Sequence, residues 1–429
     1  MTITVVALGK IGLPLAVQFA SKGHQVIGAD VNAHTVELVN AATEPFPGEY
    51  RLQELLTQVV SAGQLTATVD TAAAVAQSDV VVVVVPLFVD TDGNPDFGWM
   101  DDATKAIAAG LKPGTLVSYE TTLPVGTTRE RWLPMLEAGS GLVAGRDFSL
   151  VFSPERVLTG RIFADLRRYP KLVGGIDASS TDRGMAFYAS VLDFDERPDL
   201  PAGNGVWDLG SAEAAELAKL AETTYRDVNI GLANQFGRFA AEHGIDIHRV
   251  IDASNSQPFS HIHRPGIAVG GHCIPVYPRL YLWRDPSATV VRAAREANAA
   301  MPEYAVGLLD GMLDGVTGRR VVVLGAAYRG EVKETAFSGV FDTVRALTER
   351  GAEVLVHDPM YSDAELTALG FTPYHLGEQV DAAVLQADHA MYRELAPNDL
   401  PGVQALVDGR NITSAQTWAG VRRRVIGVG

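Results

Sequence analysis

The first hundred residues alternate between two patterns of hydrophobic and polar positions. A β-branched run covers Thr4–Leu8, apolar residues at helical spacing cover Leu13–Lys22, and a second apolar run covers Gln25–Gly28. A strand, a turn, a helix and a strand of these lengths form a βαβ unit. Residues 79–85 are an aspartate followed by six valines, which predicts a strand that is covered on both faces.

The pattern changes after about Pro198 and later returns to alternating strands and helices. Residues 211–243 carry apolar positions at helical spacing and predict one long helix, and residues 288–312 are again helical. A second βαβ unit begins at Arg320, and its second strand ends at Asp358. We therefore predict an α/β protein with two Rossmann-like doubly wound lobes, joined by a helical segment with one long helix.

Composition and charge exclude several classes of protein. With 47% hydrophobic and 20% charged residues, the 429-residue chain resembles folded globular proteins and not disordered ones. The formal net charge of −16 disfavours nucleic acid as a partner. No apolar run is long enough to cross a bilayer, and the chain opens on a strand-like run without a targeting segment. We expect a cytoplasmic protein with no membrane or nucleic-acid partner.

The first βα turn carries a variant of the glycine-rich dinucleotide fingerprint. It reads Gly9-Lys10-Ile11-Gly12, and Ala7 occupies the first glycine position. Gly9 would let the backbone approach a pyrophosphate, and Gly12 would let the helix pack on the strand. Asp30, at the end of the second strand, would accept hydrogen bonds from a ribose and repel a 2′-phosphate, which favours NAD over NADP. An ordinary tight turn is the alternative, although the flanking strand, helix and acid argue for NAD.

Several segments together resemble the UDP-glucose/GDP-mannose dehydrogenase family. These enzymes oxidise the C6 alcohol of a sugar nucleotide to a carboxylate with NAD. The segments SPERVLTGRIFADL and GGHCIPVYP are most similar to the branch that acts on UDP-N-acetylhexosamines. The likeness runs over nearly the whole chain, in GKIGLPLA (9–16), DTDGNPDF (90–97), TTLPVGTT (121–128), SPERVLTGRIFADL (153–166), KLAETTYRDVNIGLANQF (219–236), GGHCIPVYP (270–278), VVVLGAAYRG (321–330) and VDGRNI (407–412).

The resemblance assigns the two central catalytic groups. Cys273, the only cysteine, matches the family nucleophile, whose thiolate adds to the aldehyde intermediate so that hydride loss yields a thioester. An inert buried cysteine is the alternative interpretation. Lys219, in the predicted long helix, matches the lysine that stabilises developing oxyanions, whereas a surface lysine is the alternative. The histidines near Cys273 have no zinc-ligand spacing, so no metal is expected.

Further residues follow from the same resemblance. Thr122 matches a threonine near the nicotinamide that binds the catalytic water, and Glu155 matches a glutamate that borders cofactor and substrate and orders water. A helix N-terminal acid after Pro154 is the alternative interpretation of Glu155. Arg156 would contact the substrate.

The second lobe and the loop before Cys273 complete the implied substrate site. Gly270 and Gly271 lie in the nucleophile loop. Tyr328 and Arg329 occupy the family Phe-Lys step, where the uridine or diphosphate is held, and arginine keeps the phosphate-binding charge.

The chain departs from the family pattern at positions that matter for proton transfer. Tyr277 replaces an aspartate four residues after the nucleophile, and Thr223 replaces an asparagine four residues after the lysine. Three hypotheses stay open: a working 6-dehydrogenase in which Tyr277 takes over part of the aspartate's role, an NAD enzyme that stops at the aldehyde or epimerises a sugar carbon, and a non-catalytic binding relative.

The resemblance also implies a domain order and an assembly. Residues 1–198 would form the NAD-binding domain, residues 199–312 the central helical and dimerisation segment with the nucleophile loop, and residues 313–429 the sugar-nucleotide-binding domain. The family forms dimers through the helical segment, so we expect a homodimer. The base and the sugar of the substrate stay open.

Overall fold

The computed structural model describes residues 1–90 and 93–429. By its internal contacts the chain forms two compact units, Met1–Ala221 and Glu222–Gly429. The predicted long helix is confirmed as α9, Ala212–Glu242, which crosses the boundary between the units. Across the described ranges, no helix combines the length and apolar character that a bilayer crossing requires.

The first unit contains an eight-stranded sheet and a two-stranded hairpin. The sheet order is β10-β9-β8-β7-β4-β1-β2-β3, and all its pairings are parallel except β8 with β9. β5 and β6 form the hairpin. The strands are β1 Thr2–Val6, β2 Gln25–Ala29, β3 Leu65–Thr68, β4 Val80–Val83, β5 Phe88–Val89, β6 Pro95–Asp96, β7 Leu116–Tyr119, β8 Ser149–Phe152, β9 Lys171–Gly175 and β10 Val206–Asp208.

The helices of this unit cover both faces of the sheet. Val80 and Val82 of β4 belong to one hydrophobic core, and Val81 and Val83 belong to another, so the valine run is buried on both sides as predicted. The helices are α1 Gly12–Ser21, α2 Ala33–Asn40, α3 Leu52–Ser61, α4 Thr71–Ala76, α5 Gly98–Gly110, α6 Leu133–Ser140, α7 Ile162–Arg168 and α8 Ala178–Val191, with a π-helical turn at Thr128–Trp132.

The second unit contains a five-stranded, fully parallel sheet in the order β12-β11-β13-β14-β15. Its strands are β11 Arg320–Leu324, β12 Glu353–His357, β13 Ala382–Leu385, β14 Ala405–Asp408 and β15 Arg422–Val425. Its helices are α10 Ile247–Ser254, α11 Tyr277–Arg284, α12 Thr289–Ala299, α13 Met301–Leu313, α14 Val340–Glu349 and α15 Asp363–Ala368, with 3₁₀ turns at Ala390–Arg393 and Pro397–Asp399. The two doubly wound sheets confirm the predicted fold class.

Two predicted elements differ from the structure in their bounds. The first strand ends at Val6 and not at Leu8, because Ala7 adopts a left-handed backbone with φ of 74° and breaks the extended run. The helical stretch 288–312 is two helices that meet at Ala300. Pro302 lies in the first turn of the second helix, where its missing N–H costs no hydrogen bond but where it cannot continue the preceding helix.

Candidate active site

The first βα turn is shaped to receive a pyrophosphate. A Cβ added at Gly9 would meet no atom within 4 Å, so open space faces this backbone. A Cβ added at Gly12 would lie 1.9 Å from the carbonyl oxygen of Ala7, so only glycine lets α1 pack this closely. Lys10, between them, is exposed, and Ile11 packs against the core. The residues present therefore fit the diphosphate of a dinucleotide.

Asp30 is held in a fixed orientation at the end of β2. Its Oδ2 accepts a hydrogen bond from the Leu8 amide at 2.7 Å, and its Oδ1 accepts one from the Asn32 amide at 2.8 Å. The carboxylate is half-buried, and each oxygen keeps a second lone pair for a ribose hydroxyl. The strand order reverses between β1 and β4, which is where ligands bind in doubly wound sheets.

Thr122 follows β7, two strands away from β1 in the same sheet, and it is buried. The neighbouring Thr121 hydroxyl donates to the Val85 carbonyl at 2.7 Å. The loop beyond is tied to α9, because the Glu216 carboxylate accepts hydrogen bonds from the Gly126 amide at 2.5 Å and from the Thr128 amide at 2.9 Å.

Lys219 lies one turn after Glu216 on α9 and is only 9% exposed. A surface lysine is therefore the wrong interpretation of this residue, since lysines are almost never this buried without a partner or a role. Thr223 follows one turn later on the same helix and is also buried.

Glu155 and Arg156 follow β8, and their side chains form hydrogen bonds with residues of the first unit. Lys171, the first residue of β9, donates to the Glu155 carboxylate and also to Glu120 at 2.8 Å. Arg156 donates to the Pro170 carbonyl at 3.4 Å. Glu155 is not in the first turn of a helix, because α7 begins only at Ile162, so a simple helix-terminal role does not account for it.

In the second unit the loop that carries Cys273 packs against the segment that follows β11. A Cβ added at Gly270 would lie 2.5 Å from Cβ of Tyr328. One added at Gly271, whose φ is 94°, would lie 3.2 Å from Cε2 of the Tyr328 ring. The Gly271 amide donates to the Ala336 carbonyl at 2.9 Å. Cys273 is half-buried, and its carbonyl accepts from the Tyr277 amide at 2.9 Å as α11 begins. The cysteine is therefore not sealed within the core.

The turn after β11 differs from the dinucleotide turn of the first unit. Asp358, which corresponds to Asp30, is buried, and its Oδ2 accepts from the amides of Ala326 and Ala327 at 2.8 and 3.1 Å. His389 also contacts this oxygen at 3.2 Å. These partners fill Oδ2 and the side chain is buried, so Asp358 is not a ribose acceptor comparable to half-buried Asp30.

Tyr328 and Arg329 lie in this second turn. Arg329 is exposed, with its guanidinium 5.9 Å from the centre of the Tyr328 ring. Half-buried Arg410 contacts the turn: its Nε donates to the Gln386 carbonyl at 2.8 Å, and one Nη donates to the Tyr328 carbonyl at 3.4 Å.

Each unit thus gathers some of the predicted residues. The first brings Gly9, Gly12, Asp30, Thr122 and Glu155 to the carboxyl ends of β1, β2, β7 and β8, and the second stacks Gly270 and Gly271 on Tyr328 beside Cys273. Of the DTDGNPDF segment, Thr91 and Asp92 lie outside the described residues.

Sequence reasoning missed three charged residues, Glu120, Lys171 and Glu216. Glu216 precedes Lys219 by three residues in an apolar stretch, and Lys171 opens the otherwise apolar run KLVGG. A charge inside such a run was the available signal.

A doubly wound sheet with an open pyrophosphate turn and an oriented ribose acceptor is typical of NAD-dependent dehydrogenases. Three models of one family match successive parts of the chain: the NAD-binding domain over residues 1–192, the central domain over 213–300 and the UDP-binding domain over 322–415. The chain belongs to the UDP-glucose/GDP-mannose dehydrogenase family, and it is an NAD-dependent oxidoreductase that acts on the CH–OH group of a nucleotide sugar.

Relatives cover the chain almost from end to end. It is 33% identical to the UDP-N-acetyl-D-mannosamine dehydrogenase of Pyrococcus horikoshii, over 96% of both chains, and 30% identical to that of Yersinia pestis, over 96% and 99%. The solved Pyrococcus structure covers 100% of this chain and 99% of its own, with a TM-score of 0.87 at 31% identity. An NDP-N-acetyl-D-galactosaminuronic acid dehydrogenase from Methanosarcina mazei covers 100% and 95%, with a TM-score of 0.86 at 28% identity. These relatives match the UDP-N-acetylhexosamine branch predicted above.

Proposed function

We propose that this enzyme oxidises the C6 alcohol of a UDP-N-acetylhexosamine, with UDP-N-acetylmannosamine as the first candidate, to the carboxylate. The observation that carries the proposal is the loop Gly270–Cys273, which is fixed on Tyr328 and leaves the thiol half-buried. The names of the relatives supply the candidate sugar. Residues 1–198 would bind NAD, residues 199–312 would carry the nucleophile loop, and residues 313–429 would bind the sugar nucleotide.

The reaction consumes one alcohol, two NAD and one water, and it yields one carboxylate, two NADH and three protons. NAD, when bound, supplies the hydride acceptor for both oxidations. In the proposal Cys273 adds as a thiolate to the aldehyde carbon and forms a thiohemiacetal. Loss of hydride leaves a thioester, which water hydrolyses with return of the thiol.

The other residues hold charge, water and protons. Lys219 would stabilise the alkoxide and the later oxyanion through its ammonium group. Thr122 and Glu155 would place the hydrolytic water, and the Tyr277 hydroxyl would take over part of the missing aspartate's role in proton transfer. Thr223, one turn after Lys219, has a hydroxyl that can contact the sugar or the water.

The diphosphate would be held by exposed cationic groups and by close backbone approach. Arg329 offers a forked donor for a phosphate, and Gly270 and Gly271 present backbone without side chains beside Tyr328. Arg156 would contact the sugar from the segment after β8.

The direct test is incubation of the purified enzyme with NAD and a panel of sugar nucleotides. UDP-N-acetylmannosamine, UDP-N-acetylglucosamine, UDP-glucose and GDP-mannose are the informative members. We expect NADH formation and a product heavier by the change from CH2OH to COOH with one of the UDP-N-acetylhexosamines. No acid from any member, with folded protein, would refute the proposal.

A second candidate function is favoured by the replacements at Tyr277 and Thr223. Without the aspartate and asparagine, the second candidate is an enzyme that releases the aldehyde or uses a transient oxidation to epimerise a sugar carbon. The variant Cys273→Ser separates the two, because it removes acid formation but need not remove epimerisation. NADH without acid, or an isomerised sugar without net NADH, would favour the second function over the first. Binding of a UDP-sugar without either product would leave only a binding relative.

A homodimer through α9 is part of the same proposal. Four large apolar side chains recur at helical spacing along this helix and are exposed: Tyr225, Leu232, Phe236 and Phe239. A continuous exposed apolar stripe of this kind marks an interaction surface. We expect a dimer by light scattering and a monomer for the double variant Tyr225→Glu/Phe239→Glu. A wild-type monomer at micromolar concentration would contradict this assembly.

A further inference from the structure

Three ionisable side chains meet at the carboxyl edge of the eight-stranded sheet. Glu120 follows β7, Glu155 follows β8, and Lys171 is the first residue of β9. β9 runs antiparallel to β8, with Phe152 opposite Gly174, so the same register carried past the end of β8 places Lys171 opposite Glu155. The single reversal of strand direction in the sheet thus brings a lysine to the edge that carries Thr122 and Glu155.

Lys171 is shared between the two carboxylates. Its Nζ lies 2.8 Å from Oε2 of Glu120, contacts Oε1 of Glu155, and lies 3.4 Å from the Ser153 carbonyl. The side chains of Lys171, Glu120 and Glu155 are 5%, 0% and 10% exposed. Water can therefore do little to stabilise these charges, and the lysine ammonium must serve both carboxylates.

Glu120 and Glu155 differ in what else they contact. The Tyr188 hydroxyl donates to the other oxygen of Glu120 at 2.6 Å, and the Ser118 hydroxyl lies 2.7 Å from that of Tyr188. Glu120 is thus enclosed from three elements, β7, α8 and β9. Glu155 borders a small cavity formed with residues of the segment 154–157 and of α7 and β9. Glu120 is the interior member of the pair, and Glu155 is the one nearer to solvent.

The three side chains of this group do not balance in charge. Two carboxylates face one ammonium, so full ionisation leaves one surplus negative charge in a buried place. Burial raises the pKa of Glu120, against the opposing effect of Lys171. Burial alone would lower the pKa of Lys171, but the charges of Glu120 and Glu155 outweigh it and raise that pKa. Lys171 is therefore cationic throughout the physiological range and can serve both carboxylates.

We propose that Lys171 is a positioning residue that fixes the Glu155 carboxylate for its work on the hydrolytic water. Glu120 is the interior carboxylate that shares the ammonium group of Lys171 with Glu155. The inference rests on the proposed function, because it assumes that Glu155 acts on water in that reaction. A pair kept for stability alone could be replaced by apolar side chains with little loss, and buried ion pairs give little net stability. The position of this group, beside Thr122 at the ligand edge, gives it a role in the site.

The test compares Lys171→Arg, Lys171→Met and Glu120→Gln in the full-length enzyme, with kcat and KM measured between about pH 4 and 10. Lys171→Met should lower kcat at least 100-fold and change the KM for NAD less than threefold, and Lys171→Arg should restore a tenth or more of the wild-type kcat. In Glu120→Gln the ammonium group of Lys171 has Glu155 as its one carboxylate partner in this group, and the negative charge of Glu120 is removed. Its kcat profile should therefore show the acid limb displaced to lower pH. A fold defect would lower the amount of active enzyme without moving that limb.

Two outcomes overturn the proposal while the proposed function stands: wild-type kcat in Lys171→Met, or a Glu120→Gln profile that superimposes on the wild-type profile. If Lys171→Met does not fold, the Glu120→Gln profile alone decides. If the wild-type enzyme forms no acid, the proposed function fails. Crystal structures then give a separate answer, because the proposal requires the Glu155 carboxylate to move in Lys171→Met and to keep its place in Lys171→Arg. An unmoved carboxylate in Lys171→Met refutes it.

Discussion

Glu216 holds the loop that follows Thr122 against the helix that carries Lys219. Its Oε1 accepts from the amide and the hydroxyl of Thr128 at 2.9 and 2.7 Å, and its Oε2 accepts from the Gly126 amide at 2.5 Å. The side chain is fully buried. The variant Glu216→Ala would leave two buried amides without an acceptor, so it tests whether this carboxylate is what orders the loop.

The magnitude follows from those two amides. Each buried N–H without a partner costs about 1–3 kcal/mol, and relief of the carboxylate's own burial offsets part of the sum, so we expect the free energy of unfolding to fall by about 3 kcal/mol. The first unit spans Met1–Ala221. At about 2.1 cal/mol/K per residue its unfolding entropy is about 0.46 kcal/mol/K, so Tm should fall by about 6 °C.

Scanning calorimetry at pH 8 measures this change, with Glu213→Ala as the matched control. Glu213 lies one turn earlier on α9 and pairs with Arg129, but both side chains are partly exposed, at 31% and 41%. A pair of this kind is worth about 1 kcal/mol or less, so the control should lose about 2 °C or less. Because Glu216 joins the loop that follows Thr122 to the helix that carries Lys219, kcat should also fall in Glu216→Ala. Equal Tm values for the two variants would refute the reasoning.

Three further predictions follow from the same geometry. Gly9→Ala should keep the wild-type Tm and raise the KM for NAD at least tenfold. Gly12→Ala should fail to fold, because its Cβ would lie 1.9 Å from the Ala7 carbonyl oxygen. Equal thermal scans for the two variants would contradict this difference. Asp30→Ala should reduce the preference for NAD over NADP at least tenfold in kcat/KM, and Asp30→Asn, which still accepts from the Leu8 amide, should keep the wild-type Tm. Burial raises the pKa of Glu216 from 4.5 to about 7, so the folded state binds this proton more tightly than the unfolded state does. The free energy of unfolding should therefore fall by about 3 kcal/mol as pH rises from about 4.5 to 7, and denaturant titrations of Glu216→Gln should lack this share of the fall.

Most of the architecture is legible in the sequence because it depends on local patterns. The valine run of β4 is buried on both faces, and a run without alternation is typical of such a strand. The end of the first strand was less predictable. Ala7 takes a left-handed backbone that glycine would normally signal, and the strand stops there.

The hydrogen-bond partners of the candidate site residues lie far from them in the sequence, so the sequence alone does not predict these contacts. Lys171 contacts Glu155 because β9 runs antiparallel to β8, and the neighbouring sequence carries no signal for that change of strand direction. Glu216 reaches Gly126 across 90 positions of the chain. Sequence similarity singled out Glu155, Thr122 and Lys219 as candidates, whereas Lys171 beside Glu155 and Glu216 behind the loop after Thr122 required the fold.

The ratio of NADH formed to sugar nucleotide consumed tests the central claim most directly. With UDP-N-acetylmannosamine, or whichever UDP-sugar the panel selects, the wild-type enzyme should give two NADH per molecule consumed, and all the product should be acid. Cys273→Ser, which cannot form the thioester, should give no acid. A ratio of one with aldehyde as the product, or acid formation by Cys273→Ser at the wild-type rate, would contradict the account.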